Sequence, residues 1–448
     1  MSFRPHDCLK ESCSSTGGGR LVSIPRGFRD FPPPVMILRK RVLGKIEDIF
    51  KRYGFDPFET PALEYWETVK GKLGEEAESR LMFVFPDFFS KEWYTLRYEL
   101  TFPLARYIAM HPDTPLPFKR YHIGRVWRHE EPQRGRYREF WQCDADIVGS
   151  PYPEADAEVI SVNIDVMRAF NFENFTVRVS DRRLLTGIFE EELGIANPLP
   201  IYRVIDKLDK IGEDGVRSEL VRLGLHEPMV ERITGIISIR GNFNEVACFY
   251  RGFENEKIKT ALDHLEEMFS IISDNRLVLD LSLVRGLEYY TGPVFETSVS
   301  EPRIGSVAGG GRYDKLIALY SGRDVPATGV SIGVERLIDA GLELGLFNLD
   351  ERSYNEVFVV SVRRENWRYA WRVVSMLREG GVSASLDLMR RSQASQREYA
   401  NKMGVRVIAF VGPHEEETGT VTLYSKDIRK NVKISELVSS VKELLSSL

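Results

Sequence analysis

From Met36 onward apolar residues recur at steps of three or four, at Leu38, Val42, Ile46, Ile49 and Tyr53, and Gly54 follows. This spacing predicts a helix over 36–53 closed by a glycine cap. The prolines of GFRDFPPP at 27–34 are expected to hold off the helix until the chain has passed them. The helix carries one apolar stripe, which needs either the chain's own core or a second chain. FDPFETPALE at 55–64 reads as extended, and its prolines suit a sheet edge or an interface. YTLRYELTFPLARYIA at 94–109 alternates with period two, which sets Arg97, Glu99 and Thr101 on one strand face ahead of a short helix. In YHIGRVWRHEEPQRGRYREFWQCDADIVG at 121–149 two extended segments flank a loop dense in arginine, the pattern of a hairpin. On its first segment Arg128 and Glu130 share a face, and on its second Phe140, Gln142, Asp144 and Asp146 do. Unpaired charges are costly in an apolar core, so that face meets water, partner charges or a polar ligand. A solvated outer face of an antiparallel sheet explains a single hairpin equally well.

Beyond the hairpin the pattern predicts a helix over 153–170 and a strand over 175–180. Charged amphipathic pieces follow (LLTGIFEEEL, VIDKLDKI, IKTALDHLEEMFSII) and indicate an inserted helical domain. LVLDLSLVRGLEYYTGPVFETSVS at 277–300 returns to strand, with a turn at Thr291 and Gly292. GSVAGGGRYDKL at 305–316 is expected to be a glycine-rich turn, and PATGVSIGVERLIDAG at 326–341 a strand entering a helix. After Ser353 strands alternate with helices, as in a separate α/β domain with parallel pairing.

At 448 residues the chain is long enough for two or three domains, and 43% apolar with 28% charged residues is ordinary globular composition. No apolar run approaches membrane-spanning length, and the N-terminus lacks a secretory pattern, so the protein is expected in the cytoplasm, away from membranes. Residues 1–24, rich in Ser and Gly, are expected to form a flexible tail. The four cysteines, Cys8, Cys13, Cys143 and Cys248, form no Cys-x-x-Cys pair, which supports neither a zinc site nor a disulfide framework. With a net charge of −5, any RNA must be met by local basic patches.

LRYELT, RHEEPQRGRYREF, LVRGLEYYTG, GGGRYD and GVERL each offer a few charges on a strand or turn, and they occur in this order. One such piece is weak; the ordered set is specific. From about Gly27 to the C-terminus the chain resembles the histidyl-tRNA synthetases, a class II aminoacyl-tRNA synthetase family, in their archaeal and eukaryotic-like branch. The resemblance implies an α+β fold: a class II antiparallel-sheet catalytic domain with a helical insertion, plus a C-terminal α/β anticodon-binding domain. The boundaries are then 25–181 and 276–345 for the catalytic domain, 182–275 for the insertion and 354–448 for the anticodon-binding domain. It also implies a homodimer, with 36–53 and the strand after it at the interface.

The implied reaction is ATP-dependent: histidine attacks ATP to give histidyl-adenylate and pyrophosphate, and histidine then passes to the 3′ end of its tRNA. By the same resemblance Arg128 and Arg285 are catalytic and hold the α-phosphate from two sides. Glu130, Phe140 and Arg336 bind the adenine. Glu99, Thr101 and Gln142 take the α-ammonium of histidine; Asp146 and Tyr290 take its ring, with Arg285, Tyr289 and Tyr313 completing the pocket. Gln133, Arg134 and Arg136 meet the tRNA acceptor end, and Arg390, Arg391 and Gln393 are candidates for unpaired bases. Mg2+ on the outer phosphates is implied, with no ligand set readable from spacing. Two departures stand out: Asp146 where bacterial relatives commonly have Glu, and Glu288 where they commonly have Asp. The three tyrosines can also be read as core aromatics, Glu288 as an orienting group, His129 as structural, and His414 with Glu415, Glu416 and Glu417 as a solvated loop. Two rivals lack the chemistry: a regulatory subunit of ATP phosphoribosyltransferase, which would lack the C-terminal domain and an intact LVRGLEYY segment, and a sensor module, which would lose Arg128, Arg285 or Arg336.

Overall fold

The computed structural model describes residues 22–72, 77–284, 286, 289–302, 304–426 and 428–447. Arg285, Glu288 and nearly all of the expected tail lie outside the described residues. The chain forms two compact units, one of 22–29 with 42–347 and one of 30–41 with 348–448.

In the first unit the strands are β1 (Asp56–Pro57), β2 (Leu63–Tyr65), β3 (Val84–Pro86), β4 (Trp93–Leu96), β5 (Phe118–Trp127), β6 (Glu139–Val148), β7 (Phe175–Asp181), β8 (Arg240–Gly241), β9 (Leu277–Asp280), β10 (Pro293–Val299), β11 (Ser306–Arg312) and β12 (Ala327–Gly333). Nine form one sheet in the order β1-β5-β6-β12-β11-β10-β7-β9-β8, parallel at β1–β5 and β7–β9 and antiparallel elsewhere. β2, β4 and β3 make a small antiparallel sheet. The β5–β6 hairpin keeps one register from Phe118↔Val148 to Trp127↔Glu139. Cys143, Ala145 and Ile147 on β6 are buried, and helix Pro153–Ala169 packs across β6 and β12. Apolar residues on alternate positions thus cover one face of β6 and leave Phe140, Gln142, Asp144 and Asp146 to the other. Between β7 and β9 the chain is largely helical, ending in Glu256–Ile271, where Asn255 Oδ1 accepts from the Lys257 amide at 3.0 Å.

In the second unit strands Val357–Ser361, Ala384–Leu386 and Val407–Val411 pair in parallel, and Thr420–Ser425 and Ile428–Lys433 add antiparallel. Val359, Val373, Leu377, Val407, Leu423 and Val441 belong to its core.

Several expectations are corrected. The first helix runs Pro33–Arg52, because proline in a helix's first turn gives up only an amide that would be unpaired anyway. Its stripe of Leu38, Val42, Ile46 and Ile49 is buried. The strand before Glu99 ends at Leu96. Arg97 turns away and donates to the Arg125 and Thr60 carbonyls at 2.8 and 2.6 Å, while Thr101 opens helix Thr101–Met110.

The glycine-rich run is not a turn but the central strand β11. A Cβ at Gly310 would overlap the Gly329 carbonyl oxygen, and one at Gly311 would lie 2.6 Å from the Pro293 oxygen. Glycine is required there by the approach of neighbouring backbone, not by a bend. Finally, His414 and Glu415–Glu417 sit on a short helix, Pro413–Thr418, with Glu415 bonded to the Gly412 amide at 3.0 Å and the Thr422 hydroxyl at 3.0 Å.

Candidate active site

A cleft of about 400 Å³ opens over the middle of the nine-stranded sheet. The β5–β6 hairpin supplies one wall and much of the floor. Phe140, Gln142, Asp144 and Asp146 line it from β6, and Arg128, Glu130 and Arg136 from the loop. Glu99 and Thr101 enter at the start of helix Thr101–Met110, and Tyr289, Tyr290 and Tyr313 close the side near β11. Arg336, on helix Val334–Glu343, completes the opposite end. Gln133 and Arg134 lie at the tip of the hairpin loop and do not line the cleft; Arg134 is ion-paired with Glu343.

At the end near the loop, Arg128 lies over two rings, 4.4 Å from the Tyr98 centroid and 5.2 Å from that of Phe140, and its Nε donates to the Tyr98 carbonyl at 3.2 Å. Arg336 donates to the Ser306 carbonyl at 2.7 Å and to Gly135 at 3.2 Å. Gly135 takes a φ of +71°, and its missing side chain lets the loop fold down on Arg336. Glu130 faces Arg136 at 3.4 Å. Two guanidinium groups and one aromatic face at this end suit a flat, anionic ligand.

The other end is acidic. Glu99 Oε1 accepts from the Phe102 amide at 3.1 Å, at the N-terminus of its helix. Burial pushes its carboxyl up to about 7, against the pull of Arg128 and that amide. Asp146 is held by Arg120 Nη2 at 2.8 Å and by the Tyr313 hydroxyl, both favouring the anion against the burial that raises it. Gln142 Nε2 donates to the Ser331 hydroxyl. Tyr289 and Tyr290 lie with ring centroids 4.4 Å apart. Substituting Gly286 or Gly311 would strike Tyr290, and substituting Gly329 would strike Asp146, so three glycines give these two side chains their room. A pocket with three carboxyls and several hydroxyls suits a small cationic, hydrogen-bonding ligand.

Sequence reading passed over Arg120, Ser331 and Glu296, and it placed Asp144 on the polar face of the hairpin without giving it a role. The first was recoverable, because the hairpin register sets Arg120 opposite Asp146. Ser331 and Glu296 reach the cleft through the pairing of β12 with β6 and of β10 with β11, which no local pattern announces. His129 packs its ring on Phe83, centroids 5.2 Å apart, outside the cleft lining. In the second unit Arg390 is exposed, 5.9 Å over the Trp367 ring; Arg391 pairs with Asp387 at 2.6 Å; and Gln393 opens helix Gln393–Lys402.

Comparison with known proteins bears on this cleft. Residues 27–337 match the family model described as histidyl-tRNA synthetase, and 356–444 match that of an anticodon binding domain. The chain is 79% identical to the histidine–tRNA ligase of Korarchaeum cryptofilum, over 95% of this chain and all of the relative. It is 61% identical to that of Aeropyrum pernix, over 94% and 98%. Among solved structures, the histidyl-tRNA synthetase of a Nostoc species superposes with a TM-score of 0.82 at 28% identity, covering 95% of this chain and all of that one.

Proposed function

The chain belongs to the histidyl-tRNA synthetase family, and on that premise we propose how its cleft divides the work of a histidine–tRNA ligase. The enzyme activates histidine with ATP to histidyl-adenylate and pyrophosphate, then transfers histidine to the 3′ end of its tRNA. An attacking carboxylate and a triphosphate repel each other, so fixed cations and placement must supply most of the catalysis. The observation that carries the assignment is the polarity of one cleft, with arginines and an aromatic ring at the hairpin loop and carboxyls on the strand floor.

Adenine binds between Phe140 and Arg336, with Glu130 accepting from its amino group. Arg128 holds the α-phosphate, and Arg285 is assigned to the same phosphate and to the histidine site. A guanidinium that already lies over Tyr98 and Phe140 loses little freedom on binding. The α-ammonium of histidine meets Glu99, Thr101 and Gln142, and its charge returns Glu99 to the anion that burial disfavours. The ring goes to Asp146 and Tyr290, with Tyr289 and Tyr313 behind them. Among the described residues no cluster of three ligands for a metal exists. A Mg2+ bound with ATP would be held by the phosphates and by Glu296, which lines the cleft wall. Bound there, the ion would supply charge neutralisation at the outer phosphates.

Gln133, Arg134 and Arg136 are assigned to the tRNA acceptor end, and Arg390, Arg391 and Gln393 to the anticodon. A catalytic domain of 25–181 and 276–345, an insertion of 182–275, an anticodon-binding domain of 354–448, a homodimer and a cytoplasmic setting complete the reading. Among the described residues no helix is long and apolar enough to cross a membrane. The test is histidine-dependent exchange of labelled pyrophosphate into ATP, without tRNA and with other amino acids as controls. Exchange with histidine alone is expected. Histidine binding by calorimetry without exchange would transfer the assignment to a regulatory paralogue.

A further inference from the structure

Four polar or aromatic side chains of β6 face the cleft, and the reading above uses only three of them. Asp144 is the fourth. It is 2% exposed and lines the cleft between Gln142 and Asp146. Its Oδ1 and the Oε1 of Gln142 have no hydrogen-bond partner among the described residues. Buried polar atoms left open on a pocket floor are where a ligand is expected to bond.

The neighbours of Asp144 decide its state. Asp146 stands two residues along the same strand, Arg120 and His122 face it from β5, Ser331 from β12, and Glu99 lies across the cleft. Arg120 pairs with Asp146 at 2.8 Å, and Tyr313 donates to Asp146 as well. Burial first, and then the charges of Arg120 and Arg97, hold the His122 ring neutral. Two adjacent carboxyls therefore share one buried guanidinium, and it serves Asp146. The proton of such a pair resides on the carboxyl without the cation. Burial, and next the Asp146 charge, push Asp144 up to about 8.

The geometry points to Asp144 as a specificity-determining contact for the imidazole of histidine: a neutral carboxylic acid that donates to the ring nitrogen lacking a hydrogen, while ionised Asp146 accepts from the other. This rests on the reading of the cleft floor as the histidine pocket. An acid and a carboxylate side by side match a ring that has one donor and one acceptor, and a side chain lacking either leaves a buried group unpaired.

The test measures KM for histidine and for ATP in pyrophosphate exchange from pH 6 to 9.5, for the full-length protein and for D144A, D144N and D146A. D144A is expected to raise the histidine KM about tenfold or more while leaving that for ATP in place. D144N, whose amide still donates, recovers most of this loss. It is also expected to remove the rise in histidine KM that ionisation of Asp144 predicts for the unsubstituted enzyme above about pH 8. A histidine KM unchanged in D144A but raised in D146A overturns the role of Asp144 and leaves the pocket standing. No change in either overturns the pocket itself. D144N as impaired as D144A would mean an ionised carboxylate is needed, and the neutral donor is then wrong. If D144A does not fold, the pH profile of D144N decides alone.

Discussion

Arg120 Nη2 lies 2.8 Å from Asp146 Oδ2 beneath the cleft, and neither side chain has more than 3% of its surface in solvent. The same nitrogen donates to the Leu100 carbonyl at 3.1 Å, which ties the floor of β6 to the residue preceding helix Thr101–Met110. Arg120→Met therefore strands a buried carboxylate and loosens the segment that presents Glu99. A loss of about 3–5 kcal/mol is expected from urea unfolding, as for one partner removed from a buried pair. An unfolding midpoint within error of the unsubstituted protein would show that Asp146 is compensated by something other than Arg120.

Arg128 stacks over rings and offers a fork of donors, and lysine reproduces neither property. Arg128→Lys and Arg128→Ala are both expected to slow pyrophosphate exchange about thirtyfold or more, equivalent to about 2 kcal/mol of barrier. If the lysine variant retains full rate, charge alone suffices at this position.

Glu99 and Asp144 carry folded-state values of about 7 and about 8 against ordinary values of 4.5 and 3.8. Both are raised, so between pH 4 and 8 the folded state holds more protons than the unfolded one. Their contribution to stability is full below pH 4 and is lost as pH rises toward 8. Thermal melting of the substrate-free protein should show this decline, and Asp144→Asn should flatten it and raise the melting temperature at pH 8. A D144N curve parallel to that of the unsubstituted protein would mean that Asp144 ionises normally.

Glycine substitutions separate two uses of the residue. Gly310→Ala drives a methyl group into the Gly329 carbonyl and against Val330 Cα, and is expected to cost at least about 2 kcal/mol. Gly235, on helix Glu227–Ser238, has open space around its absent side chain, and Gly235→Ala should stabilise by about 0.5–1 kcal/mol. Melting temperatures moving in the same direction would count against this account of β11.

In the second unit Arg390→Ala is expected to weaken tRNA binding and reduce its salt dependence, with histidine activation unaffected. Equal affinity across a salt series would remove Arg390 from the RNA surface.

What the sequence showed of this site followed the physics of each stretch. The alternation of Phe140, Gln142, Asp144 and Asp146 was legible because period two survives in a central strand whose other face is apolar. Glycines 309–311 misled, because their need for close approach arises from β10 and β12, strands that lie apart in sequence. Arg97 misled because the strand stops at Leu96, and a residue past the end of a strand no longer obeys its parity. Strand Ile428–Lys433 escaped notice because it is an exposed edge with Val432 alone buried, so no alternation of apolar residues marks it.

The β5–β6 ribbon spaces the two ends of the cleft with its own backbone, since Phe140 and Asp146 stand six residues apart on one unbroken strand, about 20 Å of chain. Letters in that word can be exchanged, and the pairing of the ribbon survives. A single inserted letter cannot be absorbed, because it would turn every later side chain to the opposite face of the sheet. The length of this segment is therefore fixed as tightly as the side chains that face the cleft, and only positions away from the cleft leave a choice of residue.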